Sequence, residues 1–218
     1  MDFKISNSEY VVVKQIEWLP GSETNLVKDK NGSNYLQKTI SLAKADPDGR
    51  KKVLSEALKL KSIKHPHLVS TIDVQDQDQS ISILMENIVG SSLAEKIKQQ
   101  KDKNEPFPET TIIEWVFQIC SGLSFLHAQN IIHKDLRPQN IFITNDNIIK
   151  IGGFGLSLLN AYLDPSDKKY FSYVSHLSPE ILFKGPYNQN ADLWSLGVII
   201  YELCALQCPF KPLGFIKQ

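Results

Sequence analysis

The chain has few cysteines and no net charge, and each of these two features argues against a class of protein. Its three cysteines, Cys120, Cys204 and Cys208, are odd in number and dispersed, so we expect reduced, buried thiols rather than a disulfide framework. Lysine and arginine total 24, as do aspartate and glutamate. No overall electrostatic field therefore favours nucleic acid or an anionic membrane.

Long hydrophobic runs are also absent. The longest apolar stretch, from Trp194 to Leu206, is too short to cross a bilayer and contains Glu202. The amino terminus carries no apolar run preceded by basic residues, which argues against a secretory signal. We therefore expect a cytoplasmic protein that binds neither nucleic acid nor membrane. With 218 residues, 42% of them hydrophobic, the chain can bury a substantial core in one domain or two lobes.

The first part of the sequence predicts a small antiparallel sheet with one helix. β-branched and aromatic residues mark several short strands, and Asn31-Gly32 is a hairpin signal between two of them. Helical spacing of apolar residues follows the break at Asp46 to Gly49. The predicted strands are 10–13, 25–27, 35–40, 68–72 and 81–85, the predicted helix is 50–63, and 75–80 is predicted as a polar loop.

After Gly90 the pattern becomes mainly helical. The predicted helices are 93–100, 109–129 and 191–206, with a solvated loop at 101–106. The apolar face of the long second helix is predicted to contain Ile112, Ile113, Val116, Phe117, Cys120, Leu123 and Leu126. The whole pattern predicts an α+β fold in which a small sheet is followed by a helical part.

Two segments in the second half resemble the catalytic motifs of protein kinases. The segment from His133 to Asn140 reads H-K-D-L-R-P-Q-N and is similar to the kinase catalytic loop H-R-D-L-x-x-x-N. Gly153-Phe154-Gly155 then stands where kinases carry D-F-G. Further segments resemble the NIMA-related (NEK) serine/threonine kinases, namely 139–143, 177–181, 186–188 and 201–204.

The resemblance covers nearly the whole chain and implies a two-lobed protein-kinase-like fold. It implies an N-lobe at 1–86 and a C-lobe at 87–218, which together form one protein kinase domain. The family continues with three more helices, so we expect a C-lobe that lacks its last helices and exposes an apolar face. The alternative is that Gln218 is a boundary that does not reflect the natural protein.

The resemblance also implies a set of catalytic residues. Lys38 would contact the ATP phosphates and pair with Glu56, which would hold the lysine in place. Asp135 would accept the proton of a substrate hydroxyl. Arg137 stands where serine/threonine kinases usually carry lysine, and Asn140 would bind a magnesium ion.

Four further residues are implied at the nucleotide site: Leu36, Met85, Glu86 and Phe142. Leu36 occupies a position where the family usually has alanine or valine against the adenine ring. Two interpretations of Leu36 remain open, because leucine could partly fill that slot or could simply pack within the sheet.

Several departures from the family pattern argue against catalysis. Gly153 has no side chain to replace the magnesium-binding aspartate. Glu17 to Ser22 replaces the glycine-rich phosphate loop with acidic, bulky and proline residues, which should cradle phosphate badly. Lys134 replaces the arginine that reads a phosphorylated activation loop, and Tyr173 replaces a threonine that contacts the catalytic aspartate.

These observations favour a pseudokinase that acts as a scaffold or regulatory binding module with a protein partner. We expect any ATP binding to be weak and magnesium binding to be impaired. One alternative is a weakly active serine/threonine kinase that phosphorylates protein hydroxyls, since Lys38, Glu56, Asp135 and Asn140 remain. The other is a metal-independent nucleotide sensor.

Overall fold

The structure is a computed structural model, and its chain divides into two compact units. The first unit contains residues up to 64 together with 70–87, and the second contains 65–69 together with the residues from 88 onward. The short segment 65–69 thus belongs with the second unit, whereas the sequence placed it in the N-lobe. The structure describes residues 10–16, 22–43, 46–77, 79–154, 174–183 and 185–210.

The first unit is built on a five-stranded antiparallel sheet with the strand order β1-β2-β3-β5-β4. Helix α1, Pro47–Leu60, is capped by the side chain of Asp46 and buries one face through Val53, Ala57 and Leu60. The strands are β1 Tyr10–Ile16, β2 Ser22–Asp29, β3 Asn34–Ser41, β4 Thr71–Gln77 and β5 Ser80–Glu86.

Strand β4 differs from its prediction. It begins at Thr71 and runs through the polar residues to Gln77, although 68–72 was the predicted strand and 75–80 the predicted loop. Cross-strand hydrogen bonds to the buried strand β5 hold this polar segment in the sheet, so context overrides its low apolar content. Leu68 instead forms a parallel bridge with Ile151 inside the second unit.

The second unit contains a small sheet, four α-helices and the short 3-10 helix Pro138–Asn140 among its described residues. The sheet has the order β6-β7-β8, and Ser92 and Glu95 form a capping box at the start of α2. Helix α2 continues past the predicted end at 100, and Lys98 and Asp102 form an i,i+4 ion pair in the added turn. The elements are β6 Gly90–Ser92, α2 Leu93–Lys103, α3 Glu109–Ala128, β7 Ile141–Thr144, β8 Ile149–Ile151, α4 Pro179–Leu182 and α5 Asn190–Ala205.

The predicted packing face of α3 was partly wrong. Ile113 and Phe117 are 58% and 73% exposed, whereas Trp115 and Ile119 are buried. The helix is apolar on more than one side, so sequence periodicity alone did not fix its orientation. Its buried side chains are Trp115, Ile119, Leu123 and Leu126.

Helix α5 buries Ile199 and Leu203 and lies close to α3. The cysteines are free, but the prediction that they are buried was wrong: Cys120 and Cys204 are exposed and Cys208 is half-buried. Within the described residues, none of the helices combines the length and the apolarity that a membrane crossing requires.

Candidate active site

The catalytic loop is fixed to helix α5 by one buried carboxylate. Asp192 lies in the first turn of α5 and its side chain is fully buried. Its Oδ2 accepts a hydrogen bond from the backbone N–H of His133 at 2.8 Å, and its Oδ1 accepts one from Lys134 at 2.9 Å. The Nε2 of His127 lies 2.7 Å from the same Oδ2. Charge-assisted hydrogen bonds of this kind hold a loop firmly in place.

His133 is a structural residue that connects the loop to Gly152. The backbone N–H of Asp135 donates to its Nδ1 at 3.2 Å, so that nitrogen is an acceptor. Its Nε2, 3.0 Å from the carbonyl of Gly152, is then the donor nitrogen. Complete burial lowers the pKa of His133, although the nearby carboxylates of Asp192 and Asp135 oppose that shift. The ring is therefore neutral in the folded protein.

Asp135, Arg137 and Asn140 lie close together in the catalytic loop. Arg137 Nε lies 3.1 Å from Asp135 Oδ1, and Asn140 Nδ2 donates to Asp135 Oδ2 at 2.8 Å. The same amide donates to the Asp135 carbonyl at 2.7 Å. Arg137 and Asn140 are both buried. Asn140 therefore holds the Asp135 carboxylate by a hydrogen bond, and Arg137 lies close enough to Oδ1 for an ion pair without a hydrogen bond between Nε and Oδ1.

Gly153 lies directly against Asn140. The N–H of Gly152 donates to the Asn140 carbonyl at 2.7 Å, which fixes the backbone at this point. Gly153 has φ +81°, in the left-handed region that disfavours side chains. A Cβ on Gly153 would lie 3.0 Å from both Cγ and Nδ2 of Asn140. Position 153 therefore faces the Asn140 amide and presents no ligand of its own.

Phe142 follows on strand β7 and is half-buried. Its ring would lie 3.2 Å from a Cβ added at Gly152. Phe142 is thus the second residue of β7 and follows Asn140, the end of the catalytic loop, by two positions.

In the first unit, the expected pair between Lys38 and Glu56 is not formed. Lys38 lies on β3 opposite Ile83 and is 6% exposed, and Glu56 lies half-buried on α1. Among the described residues, no hydrogen bond or ion pair joins these two side chains. The structure therefore places both residues in the predicted elements without bringing their charges together.

The other implied nucleotide-site residues of this unit lie on β3 and β5. Leu36 is half-buried and stands between Leu26 and Met85 in the register of the sheet. Met85 is buried. Glu86 ends β5, and its Oε1 accepts a hydrogen bond from the backbone N–H of Ser70 at 2.7 Å.

Lys134 is engaged with an aromatic ring. It has φ +66°, and its Nζ lies 5.1 Å from the centre of the Tyr187 ring, within the range of a cation–π contact. Sequence reasoning missed Tyr187 and also missed His127, because neither contact is local in sequence. Tyr187 lies in a segment that resembles the NEK kinases, which was the available signal for it.

A second histidine fixes the segment before α4. His176 Nε2 lies 3.0 Å from Glu202 Oε2 on α5, and Ser195 Oγ donates to the His176 carbonyl at 2.7 Å. His176 is buried, so this contact is well shielded from solvent. Two predicted departures lie outside the described residues, namely most of the segment replacing the phosphate loop (17–21) and Tyr173, as does Gly155 of the G-F-G segment.

Comparison with known proteins gives one family. The protein kinase domain matches residues 21–214. Mouse serine/threonine-protein kinase Nek3 is 36% identical over 186 residues, covering 85% of this chain and 35% of that protein. Mouse Nek1 is 32% identical over 205 residues, covering 93% of this chain and 17% of Nek1. Human Nek5 is 32% identical over 206 residues, covering 93% of this chain and 29% of Nek5.

The chain therefore spans about a third or less of the length of these three relatives. The match nevertheless includes the catalytic loop, Gly153 and helix α5, whose geometry is described above. The chain belongs to the protein kinase domain family and, within that family, is similar to the NIMA-related serine/threonine kinases.

Proposed function

We propose that this kinase domain is a pseudokinase that handles magnesium–ATP poorly and acts as a scaffold or regulatory binding module for a protein partner. The observation that carries the proposal is Gly153, which lies against Asn140 and has no side chain. In the family, an aspartate at this position binds the metal ions that bridge the ATP phosphates.

The remaining donor set does not fit a magnesium clamp. Mg²⁺ requires oxygen ligands in near-octahedral geometry and is usually bound through one or two carboxylates. Position 153 offers none, and the Asp135 carboxylate is already engaged by Arg137 and Asn140. Loss of one preorganised electrostatic partner typically lowers a rate by about 10² to 10³.

Two departures in the sequence support the same proposal. The segment that replaces the phosphate loop contains Glu17, which repels phosphate, and Pro20, which has no N–H to donate. Tyr173 replaces a threonine that, in the family, contacts the catalytic aspartate. Both changes affect the handling of phosphate or peptide rather than the packing of the fold.

The missing ion pair between Lys38 and Glu56 adds further support. Phosphoryl transfer needs a lysine fixed on the ATP oxygens, and in kinases the helix glutamate supplies that restraint. In this chain both residues are present, but their side chains are not joined. The sequence therefore retains both residues, while no ion pair between them is seen among the residues that the structure describes.

The contacts that position the catalytic loop remain in place and are consistent with a scaffold. Asp192 holds His133 and Lys134, and His133 holds Gly152. These contacts stabilise a fixed surface and require no metal. A stable domain without efficient chemistry can serve as a binding module, with a protein as its partner.

A weakly active serine/threonine kinase is the second candidate. It is favoured by the geometry of Asp135, which Arg137 and Asn140 hold in the orientation expected for a catalytic base. A metal-independent nucleotide sensor is the third, because the sequence retains Lys38, a buried cation that could meet phosphate oxygens. In both candidates the cofactor is ATP.

Phosphate transfer tests the first proposal against the second. The protein and its Asp135→Asn variant are incubated with γ-labelled ATP, Mg²⁺ and a general protein substrate. We expect the two proteins to incorporate label at the same background level, because no base-dependent transfer takes place. Transfer that exceeds background and disappears in Asp135→Asn would establish the weakly active kinase instead.

A further inference from the structure

A groove in the second unit lies outside the catalytic loop and the other candidate site residues. It runs between helix α2 and the turn that joins β7 to β8, and its volume is about 580 Å³. That volume is within the range of about 300 to 1,000 Å³ that is usual for binding sites. We call it the α2–β7 groove; Lys96, Gln100 and Lys103 line one side, and Thr144, Asn145 and Asn147 line the other.

The turn side of the groove is held rigidly. Trp115 Nε1 donates to Asn147 Oδ1 at 2.9 Å, which fixes Asn147 in a left-handed conformation with φ +61°. Gln118 Oε1 accepts a hydrogen bond from the N–H of Ile149, the first residue of β8, at 2.8 Å. Phe107 packs edge-on against Trp115, with 5.2 Å between the ring centres.

Close approach of two strands forms one end of the groove. Gly90 lies on β6, and a Cβ added there would be only 2.0 Å from the carbonyl oxygen of Ile143 on β7. Only glycine fits at this position, so the sequence permits the two strands to meet at the end of the groove. Both Gly90 and Ile143 line it.

The lining of the groove carries positive charge from Lys96 and Lys103, and the one acidic residue of the facing turn, Asp146, does not line the groove and is not seen paired with either lysine in the part of the chain that the structure describes. Among the described residues, neither Lys96 nor Lys103 forms an ion pair, and the groove is lined by no aspartate or glutamate. Lys98 lies on the same helix and is paired with Asp102 outside the groove. Two lysines seven positions apart fall on one face of α2, so both charges point the same way.

We propose that the α2–β7 groove binds an acidic peptide segment of a protein partner. The two lysines complement carboxylates, and the side-chain amides of Gln100, Asn145 and Asn147 offer both donors and acceptors to a peptide backbone. This binding goes beyond the proposed loss of catalysis and does not depend on it, because no groove residue belongs to the catalytic loop.

The lining favours a peptide over a nucleic acid. Nucleic-acid binding rests on several phosphate contacts and often on stacking of bases on aromatic rings. Among the described residues, two cations line the groove, Lys96 and Lys103. Its Trp115 is 4% exposed and is already engaged by Asn147 and Phe107, so it has no face free for a base.

Fluorescence anisotropy tests the proposal directly. The probe is a labelled peptide in which glutamate alternates with serine, measured at low salt without nucleotide. We expect binding that weakens as salt is added. Lys96→Gln and Lys103→Gln should each weaken it by about threefold to fivefold, as exposed charge pairs usually do. A peptide with glutamine in place of glutamate should not bind.

Two matched variants on the same helix serve as controls. Lys98→Gln removes a lysine that does not line the groove. Lys101→Gln removes the other cation in the last turn of α2, which also does not line the groove. The second variant therefore controls for any loss of helix stability in Lys103→Gln. Both should bind the probe as the unaltered protein does. Hydrogen exchange should slow on binding in α2 and in the β7–β8 turn.

Several results would overturn the proposal. These are equal loss of binding in the control variants, equal binding of the glutamine peptide, or no binding at low salt. Displacement of the probe by a single-stranded oligonucleotide at equal charge concentration would assign the groove to nucleic acid instead. Because the assay contains no ATP, none of these results bears on whether the domain is a pseudokinase.

Discussion

The catalytic loop, 133–140, and the adjoining segment, 152–154, are connected by hydrogen bonds but differ in what they retain. The loop keeps contacts that position it, including the hydrogen bonds that the N–H groups of His133 and Lys134 donate to Asp192. The segment keeps its backbone contact with Asn140 but presents glycine where a metal ligand would stand. The contacts that position the loop can therefore persist when the metal ligand is lost, even though hydrogen bonds join the two segments.

The first unit has the same contrast. Its sheet is regular, and Lys38 is buried at its expected place on β3. The ion pair that would make this lysine useful in phosphate transfer is absent among the described residues. In both units the residues that build the fold are in place, and the contacts that would serve chemistry are incomplete.

Asp192→Ala should have the largest effect. It removes a fully buried carboxylate and leaves the N–H groups of His133 and Lys134 without their acceptor. We expect the free energy of unfolding to fall by about 3 to 5 kcal/mol in a denaturant titration. Asp73→Ala, which breaks an exposed pair with Lys61, is the control and should cost less than about 1 kcal/mol. Equal effects would show that Asp192 does not hold the loop.

Gly153→Asp should have the next largest effect and should not restore normal activity. An aspartate at φ +81° is strained, and its Cβ would be tight against Asn140. We expect a loss of about 1 to 3 kcal/mol in unfolding free energy. Gly153→Ala is the matched variant, because it introduces the same Cβ without the carboxylate. Robust kinase activity in Gly153→Asp alone would show that the phosphate loop and Tyr173 matter less than proposed.

Stability should fall in acid because of His133. Burial lowers the pKa of this histidine below its value of about 6.5 in the unfolded chain. Below that pH, His133 binds a proton in the unfolded chain but stays neutral in the folded protein, so the free energy of unfolding decreases as the pH falls. This group should therefore lower the free energy of unfolding as the pH falls from 7.5 to 5.5. His133→Gln should reduce that pH dependence; an unchanged slope would mean that the ring is protonated in the folded state.

The sequence predicted the α+β fold, because turn residues and the spacing of apolar residues reflect local backbone geometry. It did not predict that Lys38 and Glu56 would remain apart, since that depends on the placement of α1. The predicted packing face of α3 was also partly wrong. Phe117 is exposed and Trp115 is buried, and because both are aromatic, their hydropathy does not show which of them faces the core. The contacts of His127 and Tyr187 are distant in sequence and left no periodic signal.

The most direct test of the account is the thermal stability of the protein with ATP, measured with Mg²⁺ and again with a chelator in its place. A ligand that binds only the folded state raises the melting temperature according to its affinity. The account predicts that magnesium adds nothing to any stabilisation by ATP, because Gly153 supplies no ligand. A clear magnesium-dependent rise in melting temperature, lost with the chelator, would contradict it.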